Sequence, residues 1–181
     1  MLFDQAIEMP EALEAERVTV SLIGERTRYN LRLKKEDVAE IKKATGLKLS
    51  SKICGSSIAG DTICMKLGPD EWVVITDTKE GTNLGKALAK VSKDFVCSVT
   101  DISHRNVGFE ISGRDAAKLV NVGCPMDLSL DAFPVGKVTR TIFESAQIML
   151  LRTGDDSFRI ETWRSFAPYL RDYFLRVLTT R

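Results

Sequence analysis

The sequence predicts an α+β fold built from two similar β-α-β-β-α-β units, each with helices packed on a mostly antiparallel sheet. The same order of strand and helix patterns occurs twice along the chain. In addition, segment 31–44 (LRLKKEDVAEIKKA) resembles 109–122 (FEISGRDAAKLVNV), and 67–76 (LGPDEWVVIT) resembles 153–162 (TGDDSFRIET). Chance similarity in turn residues is the alternative to a duplication, and both interpretations give the same fold class.

The predicted organisation is one domain, residues 18–181, after a polar lead-in of residues 1–17. The domain contains two pseudo-repeats, at about 18–98 and 99–181. A chain of 181 residues fits one domain or a domain made of two halves. We expect the lead-in to lack fixed structure until a partner orders it.

Hydrophobic periodicity and turn residues predict the elements of the first repeat. In order, they are strands Val18–Leu22 and Tyr29–Leu33, a helix over Glu36–Ala44 ended by Gly46, a Ser- and Gly-rich loop over Ser50–Asp61, a hairpin of Thr62–Leu67 with Glu71–Thr76, and a helix over Asn83–Val91.

The second repeat follows the same course. The predicted elements are strand Asn106–Ile111, a helix that turns Ala116, Ala117, Leu119 and Val120 inward, a proline-bearing loop Cys124–Gly136, a hairpin of Lys137–Phe143 with Gln147–Arg152, strand Ser157–Thr162, and a closing helix Ala167–Leu178 with Pro168 in its first turn.

The charge balance argues against two classes of partner. Lys and Arg together number 26 and Asp and Glu 25, so the sequence predicts no basic surface for nucleic acid or an anionic membrane. No apolar run approaches the roughly 20 residues of a membrane helix, and the N-terminal residues lack a signal-peptide pattern. We therefore expect a cytoplasmic protein.

The residues able to perform chemistry are few. The four cysteines, Cys54, Cys64, Cys97 and Cys124, show no metal-ligand spacing, and their apolar surroundings predict inert thiols. His104 is the single histidine, which excludes a site of several histidines. The glycines fit neither a dinucleotide nor a P-loop motif.

Asp101, Ser103 and His104 together raise the question of a catalytic triad. If these residues share one strand, adjacent Ser103 and His104 point to opposite faces, and no GxSxG motif accompanies them. The sequence therefore argues against a triad. We expect Asp101 and Arg105 to cap or pair locally.

A run of aromatic and arginine residues, 159–166 (RIETWRSF), has the composition of a protein–protein interface hot spot. The alternative to an interface is that residues 159–166 form the end of a strand that packs against the helix following it in the same chain. The candidate interface residues are Arg159, Trp163, Arg164, Phe166 and Tyr169.

Four segments carry a family resemblance. They are LGPDEWVVI (67–75), DISHRNVGFEISG (101–113), GCPMDLSLDAFPVGKVTRT (123–141) and RTGDDSFRIETWRSFAPYL (152–170). In this order the segments resemble the gamma subunit of heterotetrameric sarcosine oxidase, over nearly the whole chain. Arg171-Asp172-Tyr173 depart from that pattern, where a more apolar, Trp-bearing helix is expected.

The resemblance implies a fold like the folate-binding domain of aminomethyltransferases. It also implies a non-catalytic structural subunit, part of an oxidoreductase that demethylates sarcosine to glycine, with alpha, beta and delta subunits as partners. FAD, FMN, NAD and tetrahydrofolate are expected on the alpha and beta subunits and zinc on the delta subunit, with no cofactor on this chain.

A stand-alone folate-binding or one-carbon-transfer module is the alternative function. Folate needs a carboxylate near its ring and an arginine for its glutamate tail. Asp101, Glu110, Arg105 and Arg140 are possible candidates, but nothing in the sequence selects among them.

Overall fold

A computed structural model of the chain describes residues 12–180. Its strands are β1 (Ala12–Ala15), β2 (Val18–Ile23), β3 (Thr27–Leu33), β4 (Ser56–Ala59), β5 (Thr62–Lys66), β6 (Glu71–Thr76), β7 (Cys97–Asp101), β8 (Asn106–Ser112), β9 (Val138–Phe143), β10 (Ala146–Gly154) and β11 (Ser157–Trp163). Its helices are α1 (Val38–Thr45), α2 (Thr78–Val91), α3 (Ala116–Asn121) and α4 (Ala167–Thr179), with short 3-10 turns at Lys35–Asp37 and Arg164–Phe166.

The chain divides into two compact units, each with its own sheet. The split unit contains residues 12–24 and 104–180, and the continuous unit contains residues 25–103. The split unit has a six-stranded sheet in the order β1-β2-β8-β11-β10-β9, and the continuous unit a five-stranded sheet in the order β4-β5-β6-β3-β7. Every strand pair among the described residues is antiparallel, which confirms the predicted fold class.

The core of the split unit forms where one face of its sheet packs on α3 and α4. Alternate residues of the central strands point to this face, because side chains along a strand alternate. Phe109 of β8 contacts Phe174 of α4 edge-on at 5.9 Å between ring centroids, and Phe143 lies 5.1 Å from the same ring. Leu119, Leu150 and other fully buried side chains complete this core.

The core of the continuous unit packs β3, β5 and β6 on α1 and α2, with Leu31, Trp72 and Leu88 almost fully buried. The Trp72 indole N–H donates to the Ser50 carbonyl at 2.9 Å, so this large ring is buried without an unpaired donor. Glycine at position 81 allows α2 to lie close to β3, because an added Cβ there would come within 2.2 Å of Thr27 Oγ1.

Helix boundaries follow the local capping residues. α1 ends at Gly46, which adopts the left-handed conformation with φ 72°, as the sequence predicts. α2 begins five residues before the predicted Asn83, because the Asp77 carboxylate accepts the Glu80 backbone N–H at 2.7 Å and caps the first turn.

Three sequence-based predictions need correction. Residues 12–15 of the expected lead-in form β1 and pair with β2, while residues 1–11 lie outside the described part. The expected loop 50–61 contains β4. Ser103 and His104 lie in the turn between β7 and β8 rather than on a strand.

The unit boundaries also differ from the predicted pseudo-repeats at 18–98 and 99–181. β2 pairs with β8, so the first strand of the predicted first repeat belongs to the sheet formed mainly by the second. In residues 12–180, no helix is long and apolar enough to cross a membrane.

Candidate interface site

The loop 123–136 is tied to the split unit by hydrogen bonds to its carbonyls and by Cys124, Leu128 and Phe133, which are buried in the core. The Asn121 amide donates to the carbonyls of Cys124 at 3.0 Å and Met126 at 2.6 Å. Lys137 Nζ donates to the Ala132 carbonyl at 2.6 Å. These bonds satisfy carbonyl groups that a loop would otherwise expose to water or leave unpaired. The segment 123–141, which carries part of the family resemblance, is therefore used to build the fold.

Arg152 of β10 links this loop to the six-stranded sheet through hydrogen bonds to backbone carbonyls. It is 2% exposed, and its Nη2 donates to the Leu128 carbonyl at 2.6 Å while Nη1 donates to the Asp155 carbonyl at 3.0 Å. Its guanidinium lies 4.5 Å from the centre of the Phe158 ring. Burial lowers the pKa of Arg152, and the nearby Asp155 and Asp156 carboxylates oppose that shift. The buried cation is thus held by carbonyl oxygens and an aromatic face.

Ser103 is a turn residue whose hydroxyl is engaged in hydrogen bonds. Its backbone N–H and its hydroxyl both donate to Asp101 Oδ1, at 2.8 and 2.5 Å. Its hydroxyl oxygen in turn accepts the Arg28 backbone N–H at 2.9 Å. This confirms that Asp101 caps locally.

His104 contributes its backbone to the split unit. Its carbonyl accepts a hydrogen bond from Arg164 Nε at 3.0 Å, and the Arg164 backbone N–H donates to the Arg105 carbonyl at 2.7 Å. Arg105 Nε donates to the Asn106 side chain at 3.0 Å, which confirms its predicted local pairing. Arg164 therefore fixes the end of β11, from which α4 begins.

Two of the cysteine thiols, Cys64 and Cys97, have raised pKa values, which makes them poor nucleophiles. All four are free, and burial raises the pKa of Cys64 to about 11 despite hydrogen bonds from its surroundings that lower it. Burial, and then the Asp37 carboxylate, raise the pKa of Cys97. In residues 12–180, no group of three or more His, Cys, Asp and Glu side chains could hold a metal ion.

The five candidate interface residues lie in different environments. Trp163 and Tyr169 are at the surface, 45% and 41% exposed. Phe166 packs against the core of the split unit. Arg159 is only 8% exposed, and Arg164 makes the backbone contacts described above.

Trp163 borders a cavity of about 290 Å³ on the face of the six-stranded sheet away from α4. Strand register explains its lining. Gln147 pairs with Ile142, and Trp163 pairs with Asn106, so these side chains form one row across the sheet. The neighbouring row contains Arg140, Met149 and Glu161. We call this cavity the Trp163 pocket; Arg105, Asn106, Arg140, Thr141, Ile142, Gln147, Ile148, Met149, Glu161 and Trp163 line it.

A buried ion pair forms the charged part of the pocket floor. Glu161 Oε1 lies 2.7 Å from Arg159 Nη2 and accepts a hydrogen bond from Arg159 Nε at 2.9 Å. Gly108 pairs with Glu161 across the strands and leaves room for this carboxylate, since an added Cβ would lie 2.7 Å from Oε1. Glu161 is 1% exposed, and the ion pair with Arg159 offsets the cost of burying a carboxylate.

The lining of the pocket has a positive balance. Arg105, Arg140 and Glu161 are the charged residues that line it, and Arg159 lies 2.7 Å from Glu161. Ile142 and Trp163, 46% and 45% exposed, supply apolar area beside the two arginines.

The residues considered for folate are only partly brought together. Arg105 and Arg140 line the same pocket, whereas Glu110 lies elsewhere on the sheet and Asp101 belongs to the continuous unit. Sequence reasoning missed the grouping of Arg140 with Glu161. The alternation of β9 placed Arg140 and Ile142 on one face, but the strand order that brings β9 next to β10 and β11 was not predicted.

A second cavity, of about 370 Å³, lies within the continuous unit. The hydroxyls of Thr62 and Thr76 are 2.9 Å apart, and Glu80 Oε2 accepts from them at 3.4 and 3.3 Å. Cys64 also lines this cavity, but its raised pKa keeps the thiol protonated at neutral pH. Leu47, Leu84 and Ala87 also line the cavity, so its surface is largely apolar with a small hydrogen-bonded group of polar side chains.

Comparison with known proteins agrees with the resemblance seen in the sequence. A family model described as "Sarcosine oxidase, gamma subunit family" matches residues 35–178. The sarcosine oxidase subunit gamma of Corynebacterium sp. (strain P-1) is 32% identical over 125 residues, which are 69% of this chain and 60% of that relative. The chain thus covers less than two thirds of that subunit's length.

Solved structures share the fold. A chain of the heterotetrameric sarcosine oxidase from Corynebacterium sp. U-96, in complex with pyrrole 2-carboxylate, matches with a TM-score of 0.80 at 24% identity, covering 94% of this chain and 88% of that one. Aminomethyltransferase T of the glycine cleavage system from Bartonella henselae matches with a TM-score of 0.63 at 16% identity, covering 88% and 45%. These likenesses confirm the aminomethyltransferase-like fold. Since the family model spans most of the chain, this protein belongs to the sarcosine oxidase gamma subunit family.

Proposed function

We propose that this chain is a non-catalytic structural subunit of a heterotetrameric sarcosine oxidase. In this role it supports assembly of the flavin-bearing subunits that demethylate sarcosine oxidatively to glycine. Membership of the gamma subunit family is the observation that carries the proposal. The expected partners are the alpha, beta and delta subunits of a cytoplasmic complex.

The use of the polar residues supports a structural role. Ser103 and Asp101 hydrogen-bond to each other within a turn, and the His104 carbonyl anchors Arg164. Arg152 and Lys137 donate to loop carbonyls. Side chains committed to holding backbone atoms are poorly placed to act on a substrate, because catalytic groups must reach the reacting atoms.

We assign FAD, FMN, NAD, tetrahydrofolate and zinc to the partner subunits. Flavin and nicotinamide chemistry depends on how a protein positions the cofactor's reactive atom against the substrate. In this role the chain helps to hold the cofactor-bearing subunits together and takes no part in the redox step.

The test is reconstitution with and without the chain. The alpha, beta and delta subunits are co-expressed with tagged chain, with untagged chain, or with none, and each preparation is analysed for mass, flavin absorbance and sarcosine-dependent peroxide formation. We expect the tagged chain to recover a yellow complex of four subunits, and its omission to reduce the yield of assembled enzyme. Purification of a colourless single chain that binds tetrahydrofolate would instead support the folate-module alternative.

A further inference from the structure

We propose that the second cavity, of about 370 Å³ in the continuous unit, binds a free amino acid with an aliphatic side chain. The ammonium group of this ligand lies at Glu80 and its carboxylate at Lys48. We call the site the Glu80 cavity. The inference goes beyond the proposed function, because it gives the subunit a small-molecule ligand of its own. Every residue that lines the cavity lies within residues 25–103, so the site is complete in one unit.

Hydrogen-bond acceptors at one end of the cavity favour an ammonium group. The hydroxyls of Thr62 and Thr76 lie 2.9 Å apart, and they contact Glu80 Oε2 at 3.4 and 3.3 Å. Two hydroxyls have only two hydrogens to donate, and these contacts can use both, so a ligand meets lone pairs and a negative charge. The carboxylate contacts are also long beside the roughly 2.7 Å of a typical hydroxyl hydrogen bond, which leaves Glu80 able to accept from a closer charged donor.

Strand register places a lysine at the other end of the cavity. Ser57 and Ala59 are alternate residues of β4 that line the cavity, and Ala59 pairs with Thr62. The Ser57 hydroxyl donates to the backbone carbonyl of Lys48, which also lines the cavity. Lys48 is therefore held about two residues along the strand, or roughly 7 Å, from the acceptors at Thr62.

The opposite charges of Lys48 and Glu80 favour a ligand that carries both signs. Within residues 12–180 these two exposed side chains form no ion pair with each other. A ligand with a single charge would be attracted by one of them and repelled by the other. A zwitterion satisfies both, because its ammonium group can face Glu80 while its carboxylate faces Lys48. Free amino acids are small zwitterions of this kind.

The apolar part of the lining indicates the side chain of the ligand. Leu47 and Leu84 are 7% and 9% exposed, and Ala87 lies one turn beyond Leu84 on α2. An aliphatic side chain placed against these residues leaves water, which favours binding. A volume of about 370 Å³ is within the range of about 300–1,000 Å³ that is usual for small-molecule sites.

The experiment is titration calorimetry of the full-length chain with L-leucine. Isoamylamine and isocaproic acid are the matched ligands, because they are leucine without its carboxylate and without its ammonium group. We expect one leucine to bind per chain. We expect each matched ligand to bind at least about tenfold more weakly, since each lacks one charged contact.

Two substitutions test the two ends of the cavity separately. We expect Glu80→Gln to weaken binding of leucine and of isoamylamine at least about tenfold, since both ligands carry the ammonium group. We expect Lys48→Met to weaken binding of leucine but not of isoamylamine. Glu40→Gln and Lys86→Met, at exposed positions of α1 and α2, are the controls for a lost charge and are expected to keep wild-type affinity. The comparison of leucine with isocaproic acid uses unaltered protein, so the test does not depend on the folding of a variant.

Three results would overturn the assignment of this site. They are no binding of leucine at millimolar concentration, binding of isocaproic acid as tight as that of leucine, and wild-type affinity for leucine in folded Glu80→Gln. The titration needs only this chain, so its outcome is separate from the test of assembly. A chain that joins the four-subunit complex but binds no leucine refutes this site alone, and a chain that binds leucine but joins no complex refutes the proposed function alone.

Discussion

At the scale of single residues, the Asp101 and Ser103 side chains hydrogen-bond to each other and to backbone N–H groups, whereas His104 is held through its carbonyl. The residue types of Asp101, Ser103 and His104 make them candidates for a catalytic triad. Whether their side chains can act together depends on where the backbone places them. The sequence argument against a triad assumed that Ser103 and His104 share a strand, whereas the structure places them in a turn. The local capping by Asp101 was predictable because Asp and Ser two residues apart form such turns readily.

His104→Ala tests the non-catalytic role. The imidazole is exposed, and the contact with Arg164 uses the carbonyl, which alanine retains. We expect the assembled complex to turn over sarcosine within about twofold of wild type, measured by peroxide formation. A loss of about a thousandfold in an intact complex would mean that the histidine acts in the reaction.

Cys64 is predicted to resist alkylation. Since burial raises its pKa to about 11, the thiol is protonated at pH 8 and only a small fraction is the reactive thiolate. We expect iodoacetamide at pH 8 to label the partly exposed Cys54 and to spare Cys64 in the folded chain, as mapped by peptide mass. The raised pKa also means that this thiol favours the folded state less as pH rises from about 9 towards 11, because the unfolded thiol ionises first. Rapid labelling of Cys64 in folded protein would contradict this prediction.

Gly108→Ala tests the buried ion pair. The new Cβ would lie 2.7 Å from Glu161 Oε1, so the pair must shift or the strands must part. We expect the free energy of unfolding to fall by about 1–3 kcal/mol in urea denaturation. The control is Gly24→Ala, where no atom lies within 4 Å of the added Cβ and we expect a change of less than about 1 kcal/mol. Equal effects of the two substitutions would show that crowding of Glu161 is not the cause.

At the scale of elements, local patterns predicted most helices and strands, and tertiary contacts decided the rest. The hairpin of β5 and β6 and the strands β8 to β11 follow alternation and turn signals that the sequence displays. β4 was missed because its Ser- and Gly-rich surroundings carry a loop signal, and pairing with β5 overrides it. The early start of α2 was missed because Gly81 and Gly85 weaken the helical pattern.

Arg152→Met tests whether the hydrogen bonds of the Arg152 side chain hold the loop 123–136 in place. The substitution keeps much of the volume but removes the donors to the Leu128 and Asp155 carbonyls. We expect a loss of about 2–4 kcal/mol of unfolding free energy and faster amide exchange in this loop. Arg176→Met on the exposed surface of α4 serves as the control. Unchanged exchange in the loop would mean that Asn121 and Lys137 suffice to hold it.

At the scale of the whole molecule, the family match confirms the resemblance seen in the sequence. The five candidate interface residues, however, differ in how much of their surface is exposed. Phe166 packs on the core, and Trp163 exposes 45% of its surface, although their rings lie 6.3 Å apart. The sequence could not separate these roles, because both aromatics fall in one short run at the junction of β11 and α4. The Trp163 pocket was likewise hidden, since it depends on the order of strands in the sheet.

Alanine substitutions separate chain stability from assembly. We expect Phe166→Ala to lower the unfolding free energy of the isolated chain by about 1–3 kcal/mol, because a packed ring is lost. We expect Trp163→Ala to change chain stability by less than about 1 kcal/mol and to weaken binding of the partner subunits by at least about 2 kcal/mol. Titration of the partner subunits with each folded variant measures the second effect. Normal binding by Trp163→Ala would remove this residue from the interface.

The pairing of β2 with β8 makes the continuous unit an insertion in a hairpin. Ile23 lies opposite Gly108 in an antiparallel pair, so the intervening segment 25–103 leaves and returns at one edge of that pairing. Closing a long loop costs little more entropy than closing a moderate one, so such an insertion is thermodynamically tolerable. β1 can pair with β2 early in synthesis, but about eighty further residues must follow β2 before β8 can pair with its other side, so the six-stranded sheet is completed late.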